Sequence, residues 1–453
     1  MSRSVRPWVL SQRGKITLQK GYRAHQRGDV ATALRCYRRV LDENAYNPIA
    51  LHYAALAGFQ INQYARQEKK PAADDEVMRM MALSVAYAPD NAAAVHNFAK
   101  FKHDRGELGE ARTLYLNALE LNNQLAESWT NLGNVCGELG DRAAAEECWN
   151  RALACPASPA AEARFNISML KLLRGEYDEG WADYECRWGC AGFRIGYGRP
   201  EIKGARWDGS PVDGTLLLHG EQGAGDVIMM ARYIPLAQQL VTKVIVEVFP
   251  SLVEYVRATF PGVEVVEKGG EIPGHHVQLP MMSLPAVFRT SLATIPRPIP
   301  AKLDGIRPES GRIGVCWKGS PTHPNDRTRS VPFESVEQLL ELPGVTWQSL
   351  QYGESPAPLQ ALEAADYLDT ARAIARCELV ITVDTSVAHL AGSLGVETWL
   401  LLPYVSEWRW LQDRTDSPWY PTMYLWRQAK AGDWGELLAR VRGALTEILE
   451  VAA

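Results

Sequence analysis

Three short stretches concentrate the side chains with which this chain could handle a charged ligand. The first, Leu379 to Gly395, reads LVITVDTSVAHLAGSLG. A β-branched run (Val380, Ile381, Val383) stops at Asp384, and Thr385 and Ser386 follow, both good helix N-cap residues. A small-residue helix comes next, with Gly395 placed to close it. Strand, polar turn and helix in that order put Asp384, Thr385, Ser386 and Val387 at the carboxyl edge of a parallel sheet. There the unpaired N–H groups and dipole of a helix N-terminus favour an anion, commonly a phosphate. An ordinary capped turn would use the same residue types.

The second stretch, WKGSPTHPNDRTRS (Trp317–Ser330), follows a strand directly and gathers Lys318, Arg327 and Arg329 with Ser320, Asn325 and Ser330. Two arginines and a lysine on a strand-end loop suit an anion, although a solvated basic loop has the same composition. The third, GEQGAGD (Gly220–Asp226), carries Gly220, Gly223 and Gly225 around one acid. Glycines let a backbone turn sharply and approach a ligand closely, and Asp226 falls in the first turn of the next helix, where it also suits a cap. The spacing lacks the dinucleotide fingerprint, so an NAD enzyme is not expected. His219, at a strand end beside this loop, and His389, in the helix after Asp384, are either acid–base groups or packed histidines. Trp408, Trp410, Trp419 and Tyr420 could stack on a sugar or base, or fill a core. Arg414 is a further phosphate candidate.

The elements that position these stretches alternate from Gly214 onward. TLLLH, VTKVIVEVF, Val263–Val266 and Val277–Leu279 read as strands separated by helices. The proline-spaced ATIPRPIPAKL (Ala293–Leu303) reads as a hinge. RIGVCW, Val345–Leu350, the Asp384 stretch and ETWLLLP then form a second series. Alternating strands and helices give parallel sheets, so two α/β lobes are expected, at 214–305 and 306–453.

The first half is a repeat. Gly106, Ala111, Tyr115 and Ala118 recur 34 residues later as Gly140, Ala145, Trp149 and Ala152, and Trp129, Leu132 and Gly133 sit at Trp-x-x-Leu-Gly spacing. Gly28, Ala33 and Tyr37 are in register upstream; Gly175 and Tyr184 are downstream, with Gly180 where alanine is usual. This is the tetratricopeptide pattern. About five helical pairs are expected, enough for a stable solenoid with a concave face for a protein segment, across a domain 1–190. One repeat is stretched by an insertion around Arg66–Asp75. A glycine-rich stretch (Gly192, Gly196, Gly198) reads as a linker, 191–213.

At 453 residues the chain needs several cores. Its 46% hydrophobic and 22% charged content is that of a globular protein, and a net charge of −5 gives no reason to expect nucleic acid. No apolar run is long enough to span a bilayer. Eight cysteines show no zinc spacing, and a reduced, cytoplasmic location is expected. The acid-free first 28 residues read as a basic leading helix.

The combination of LLLHGEQGAGD, VCWKGSPTHPNDRTRS, ITVDTSVAHLAGSLG and PYVSEWRWLQDRTDSPWYP resembles bacterial tetratricopeptide-linked glycosyltransferases. Their catalytic half is similar to the heptosyltransferase family (family 9) and, more distantly, to the O-GlcNAc transferase type. The resemblance implies a tetratricopeptide solenoid followed by an α/β GT-B fold. Its two Rossmann-like lobes would bind acceptor on the first and nucleotide-sugar on the second. It matches Asp226 to the general base, Lys318 to a donor-phosphate lysine, and Asp384, Thr385, Ser386 and His389 to the donor turn. Ser386 stands where heptosyltransferases have glycine. His219, Gly223 and Gly225 would lie on the acceptor side, and Ser320, Arg327, Arg329 and Val387 on the donor side.

Inverting transfer needs a base for the acceptor proton and positive charge or a helix dipole for the departing phosphate. No Asp-x-Asp motif occurs, so a lysine and a helix N-terminus are expected in place of a metal, with no cofactor beyond the nucleotide-sugar substrate. A protein acceptor recruited by the repeats is expected, flagellin being one candidate implied by the resemblance, with Arg327 and Arg329 on a sugar carboxylate. The alternatives are a heptosyltransferase-like enzyme acting on a lipid-linked glycan and a scaffold without chemistry.

Overall fold

The computed structural model describes residues 9–67, 74–156, 161–321, 323 and 325–452. By internal contacts the chain divides into two compact units, Met1–Ala163 and Arg164–Ala453.

Antiparallel helix pairs make up the first unit: α1 (Gln12–Gln26) with α2 (Val30–Glu43), α3 (Pro48–Gln67) with α4 (Asp74–Tyr87), α5 (Ala92–Asp104) with α6 (Leu108–Leu121), and α7 (Ala126–Glu138) with α8 (Arg142–Ala154). The repeat glycines explain the tight turn inside a pair. Gly28, Gly106, Gly140 and, in the second unit, Gly175 all hold φ between +77° and +85°. Side chains other than glycine rarely adopt that conformation. At Gly140 the turn closes as a Schellman motif: Gly140 N–H donates to Gly137 C=O (3.0 Å) and Asp141 N–H to Cys136 C=O (2.9 Å). Asp141 then caps the next helix through Ala144 N–H (3.1 Å). Close approach also demands Gly133, where a Cβ would stand 2.4 Å from Trp149 Nε1. The leading basic segment is the first helix of the array, its residues 1–8 lying outside the described ones. Most of the Arg66–Asp75 insertion, residues 68–73, also lies outside them.

The boundary between the units falls inside α9, which begins at Ala161 and ends at Arg174, and α10 (Tyr177–Tyr184) follows in the second unit. Five helix pairs thus run through the described residues up to Tyr184, and the fifth, apart from the first residues of α9, falls in the same compact unit as the α/β part. The expected linker 191–213 is structured. It holds a helix, Ala191–Tyr197, and a short edge strand, β1 (Ala205–Arg206), which pairs with β5 and so joins the first sheet.

Two all-parallel five-stranded sheets follow, among the described residues. The first has the order β1-β5-β2-β3-β4, with β2 (Val212–His219), β3 (Val241–Val248), β4 (Glu264–Glu267) and β5 (Val277–Pro280). The second is ordered β10-β9-β8-β6-β7, with β6 (Arg312–Cys316), β7 (Thr346–Ser349), β8 (Leu379–Val383), β9 (Glu397–Leu402) and β10 (Met423–Arg427). Buried β-branched and aromatic residues of β6, β8 and β9 pack under the closing helix Trp434–Ala452 through Leu437, Leu438 and Val441. Strand order reverses beside β2 in the first sheet and between β6 and β8 in the second. Parallel α/β sheets bind ligands at such switch points, outside the strand carboxyl ends. All three chemistry-bearing stretches leave those ends.

Candidate functional site

The strand-end turns enclose a cavity of about 930 Å³ within the second unit. Gln222–Asp226 from the first sheet and Lys318–Ser320, Arg329 and Asp384–Val387 from the second line it together with His389 and Arg409. The helical segments contribute an apolar side, with Phe165, Met169, Tyr184 and Tyr197.

The Asp384 turn forms from local chemistry. Thr385 caps the helix Ser386–Leu394 by accepting Val387 N–H (3.3 Å), and Gly395 closes it at φ +74°. Ser386 Oγ accepts from the Tyr367 hydroxyl (2.8 Å). Asp384 is only 8% exposed. Burial and the neighbouring Glu407 carboxylate push its pKa up to about 7, against the attraction of Arg409 and Arg329. Arg329 donates to the Asp384 carbonyl (3.0 Å) across Gly319, whose missing Cβ would stand 2.5 Å from the guanidinium. Lys318 lines the cavity with its ammonium paired to Glu354. Ser320 lines it too, whereas the exposed Arg327 is not among the described lining residues.

Asp226 meets this turn from the other sheet. One oxygen accepts Gly223 N–H (2.8 Å), and the other is ion-paired with Arg409, which also pairs with Glu407. Arg409 is buried, which would favour its neutral form, but Asp226 and Glu407 outweigh that and raise its pKa. Its signal in the sequence was weak: one arginine among tryptophans, 183 residues from its partner.

Gly225 lines the cavity, as expected of a loop glycine, and also makes a helix contact. A Cβ there would lie 2.7 Å from His389 Cδ2 and 3.4 Å from Ser386 Cα, so the glycine lets the helix Ala224–Met230 pack on the helix Ser386–Leu394. His389 is held by this packing. Its Nδ1 sits 2.9 Å from the Tyr420 hydroxyl and its ring stacks on Trp410 at 5.3 Å. Burial, with Arg409 and Arg232 nearby, drives its pKa well below the ordinary value, so the ring is neutral. His219 does not reach the cavity; it is buried against Gln278 (3.0 Å), and burial lowers its pKa to about 4. Trp408, Trp410, Trp419 and Tyr420 are all buried and Trp181 meets Trp408 edge-on at 5.1 Å; of the four, Trp408 also lines the cavity. Arg414 pairs with Asp416 (2.6 Å) and does not line the cavity.

The repeat pattern has independent support: the TPR repeat family matches residues 102–140. The chain carries a tetratricopeptide repeat. Among curated proteins it is similar to Protein FlbA of Caulobacter vibrioides, at 24% identity, covering 93% of this chain and 82% of that one. Solved structures similar to it include a crystal structure of MamA (19% identity, 37% of this chain and 91% of that chain, TM-score 0.32). Another is a thermophilic TPR protein in Thermus thermophilus (22% identity, 40% of this chain and 95% of that chain, TM-score 0.32). Among the described residues, no helix is long and apolar enough to cross a membrane.

Proposed function

We propose that the second unit is an inverting glycosyltransferase of GT-B type that moves a sugar from a nucleotide-sugar onto a protein recruited by the tetratricopeptide array. One observation carries the reading: Asp226 from one sheet, and Lys318 with the capped Asp384–Val387 turn from the other, line a single cavity at the carboxyl ends of both. An acceptor hydroxyl attacks the anomeric carbon as the bond to the diphosphate oxygen breaks. Asp226 takes the hydroxyl proton. One of its oxygens accepts from Gly223 and the other from Arg409, and a carboxylate oxygen offers two lone-pair sites, which leaves room for that proton. The N-terminal N–H groups of the helix Ser386–Leu394 and the Lys318 ammonium receive the charge on the leaving diphosphate. The apolar side, Phe165, Met169 and Tyr197, suits a polypeptide better than a charged donor. Flagellin is the first acceptor to test, on the strength of the sequence resemblance.

A second reading, a peptide-binding scaffold, draws on another feature of the cavity. The cations that line it already have internal partners: Lys318 has Glu354, Arg409 has Asp226 and Glu407, and Arg329 has the Asp384 carbonyl. Thermal shifts of the full chain with UDP, GDP, ADP, dTDP, CMP and CDP, in EDTA, separate the two. A nucleotide at 100 times its Kd stabilises by about 2.7 kcal/mol. The transferase reading expects one nucleotide to shift the wild type and not Lys318→Ala; silence across the panel favours the scaffold.

A further inference from the structure

The loop that carries Asp226 is not held by its own sheet alone. Its second residue, Glu221, is 1% exposed, and the carboxylate is gripped from the helical segment by Arg187, which is 0% exposed. Arg187 Nη2 donates to one Glu221 oxygen (2.7 Å) and Nε to the other (3.3 Å). Nη2 also donates to Ser283 Oγ (2.7 Å), just beyond the end of β5, and Nη1 to Glu185 (2.7 Å). The guanidinium lies over the rings of Tyr184 (4.7 Å) and Trp188 (4.9 Å). The next loop residue, Gln222, holds φ +59°, a conformation that persists in a non-glycine residue only when its surroundings impose it. Its side-chain amide donates to the Tyr184 hydroxyl (2.8 Å). Two successive loop residues are therefore fixed by one turn of chain, Tyr184–Arg187.

We infer that this turn, which ends the last helix pair, is the positioning element of the transfer loop, with Arg187 acting through Glu221 and Tyr184 acting through Gln222 to aim Asp226 into the cavity. The inference rests on the transferase reading above. A buried ion pair is a costly way to fill space compared with apolar side chains of similar volume, whereas a two-pronged guanidinium–carboxylate contact fixes orientation. Arg187 does not itself line the cavity. The last helix pair thus belongs functionally to the catalytic unit, which also explains why it packs there.

The test uses the full chain with two conservative variants, Arg187→Lys and Tyr184→Phe, and the double exchange Arg187→Glu with Glu221→Arg. Misaiming a catalytic group by about 1 Å can cost on the order of 100-fold in rate. A kcat at least roughly tenfold lower in Arg187→Lys is therefore expected, with nucleotide Kd unchanged within about twofold, a smaller kcat loss in Tyr184→Phe, and partial recovery in the double exchange. Hydrogen exchange at Gln222–Asp226 should accelerate in Tyr184→Phe while other protected amides hold. That readout needs no activity, so it separates failure of the clamp from failure of the transferase reading, which would appear as a wild type that neither binds nucleotide nor transfers. Unchanged exchange in the loop, or an unchanged kcat in folded Arg187→Lys, overturns the inference. So does a nucleotide affinity that falls in step with kcat.

Discussion

Two turns with the same grammar, strand then polar loop then helix, line the cavity, and they are stabilised in opposite ways. The turn at Asp384 rests first on local chemistry: Thr385 caps its helix, Gly395 at φ +74° closes it, and every residue of β8 is buried, with Arg329 and Tyr367 adding contacts from farther along the chain. The turn at Gly220–Asp226 is held from a distance, by Tyr184 and Arg187 from the helical segment and by Arg409 from the second lobe. Its glycine at 225 is required by another helix, not by its own backbone conformation. A turn built from local hydrogen bonds can be recognised in a sequence window; one built from distant partners cannot.

The strongest way to break this contrast is at Gly225. Gly225→Ala places a Cβ 2.7 Å from His389, so the two helices must part. Overpacking of this kind costs about 2 kcal/mol, to be read by urea unfolding, with a weakened nucleotide response. The control is Gly223→Ala in the same loop. Gly223 has φ −101°, and its Cβ would meet only Asp226 Oδ2, at 3.3 Å, but it is the helix N-cap, where alanine is poorer than glycine, so a smaller cost of about 1 kcal/mol is expected. Equal effects at both positions would mean that the loop, not the helix contact, needs glycine.

Asp384 tests the other turn through pH. With its pKa raised to about 7, the folded chain keeps a proton that the unfolded chain has released, in the window from about pH 4 to pH 7. Stability therefore falls as pH rises through that window and is flat above it. Asp384→Asn mimics the protonated form. It should remove this slope and stabilise the chain at pH 8 by about 1–2 kcal/mol in thermal melts. A variant whose stability slope matches the wild type would assign the pH dependence to other groups.

The smallest effect is expected at the cap. Thr385→Ala removes the acceptor for Val387 N–H and should cost about 1 kcal/mol, with the loss confined to local opening of the helix Ser386–Leu394 in hydrogen exchange. Propagation of that loss into Gly220–Asp226 would show that the two turns are less independent than their contacts indicate.

By itself the sequence determined the features whose causes lie within about one turn or one repeat. The repeat was legible because Gly106 and Gly140 sit at the same left-handed turn in successive helix pairs, and because Trp149 needs the bare backbone of Gly133. β2 to β9 were legible because buried parallel strands read as continuous β-branched runs, whereas the edge strands β1 and β10 were not read from the sequence. The Asp384 turn was legible because its cap and stop signal are both local. Tertiary structure alone decided the rest. It placed the last helix pair with the sheets, made an edge strand out of part of an expected linker, and gave Gly225 a helix contact in addition to its place on the cavity wall. Arg409 on Asp226 and Arg187 on Glu221 join residues 183 and 34 positions apart. Such ion pairs form when packing brings buried charges together and desolvation makes an unpaired one too costly, and no spacing rule along the chain records that meeting.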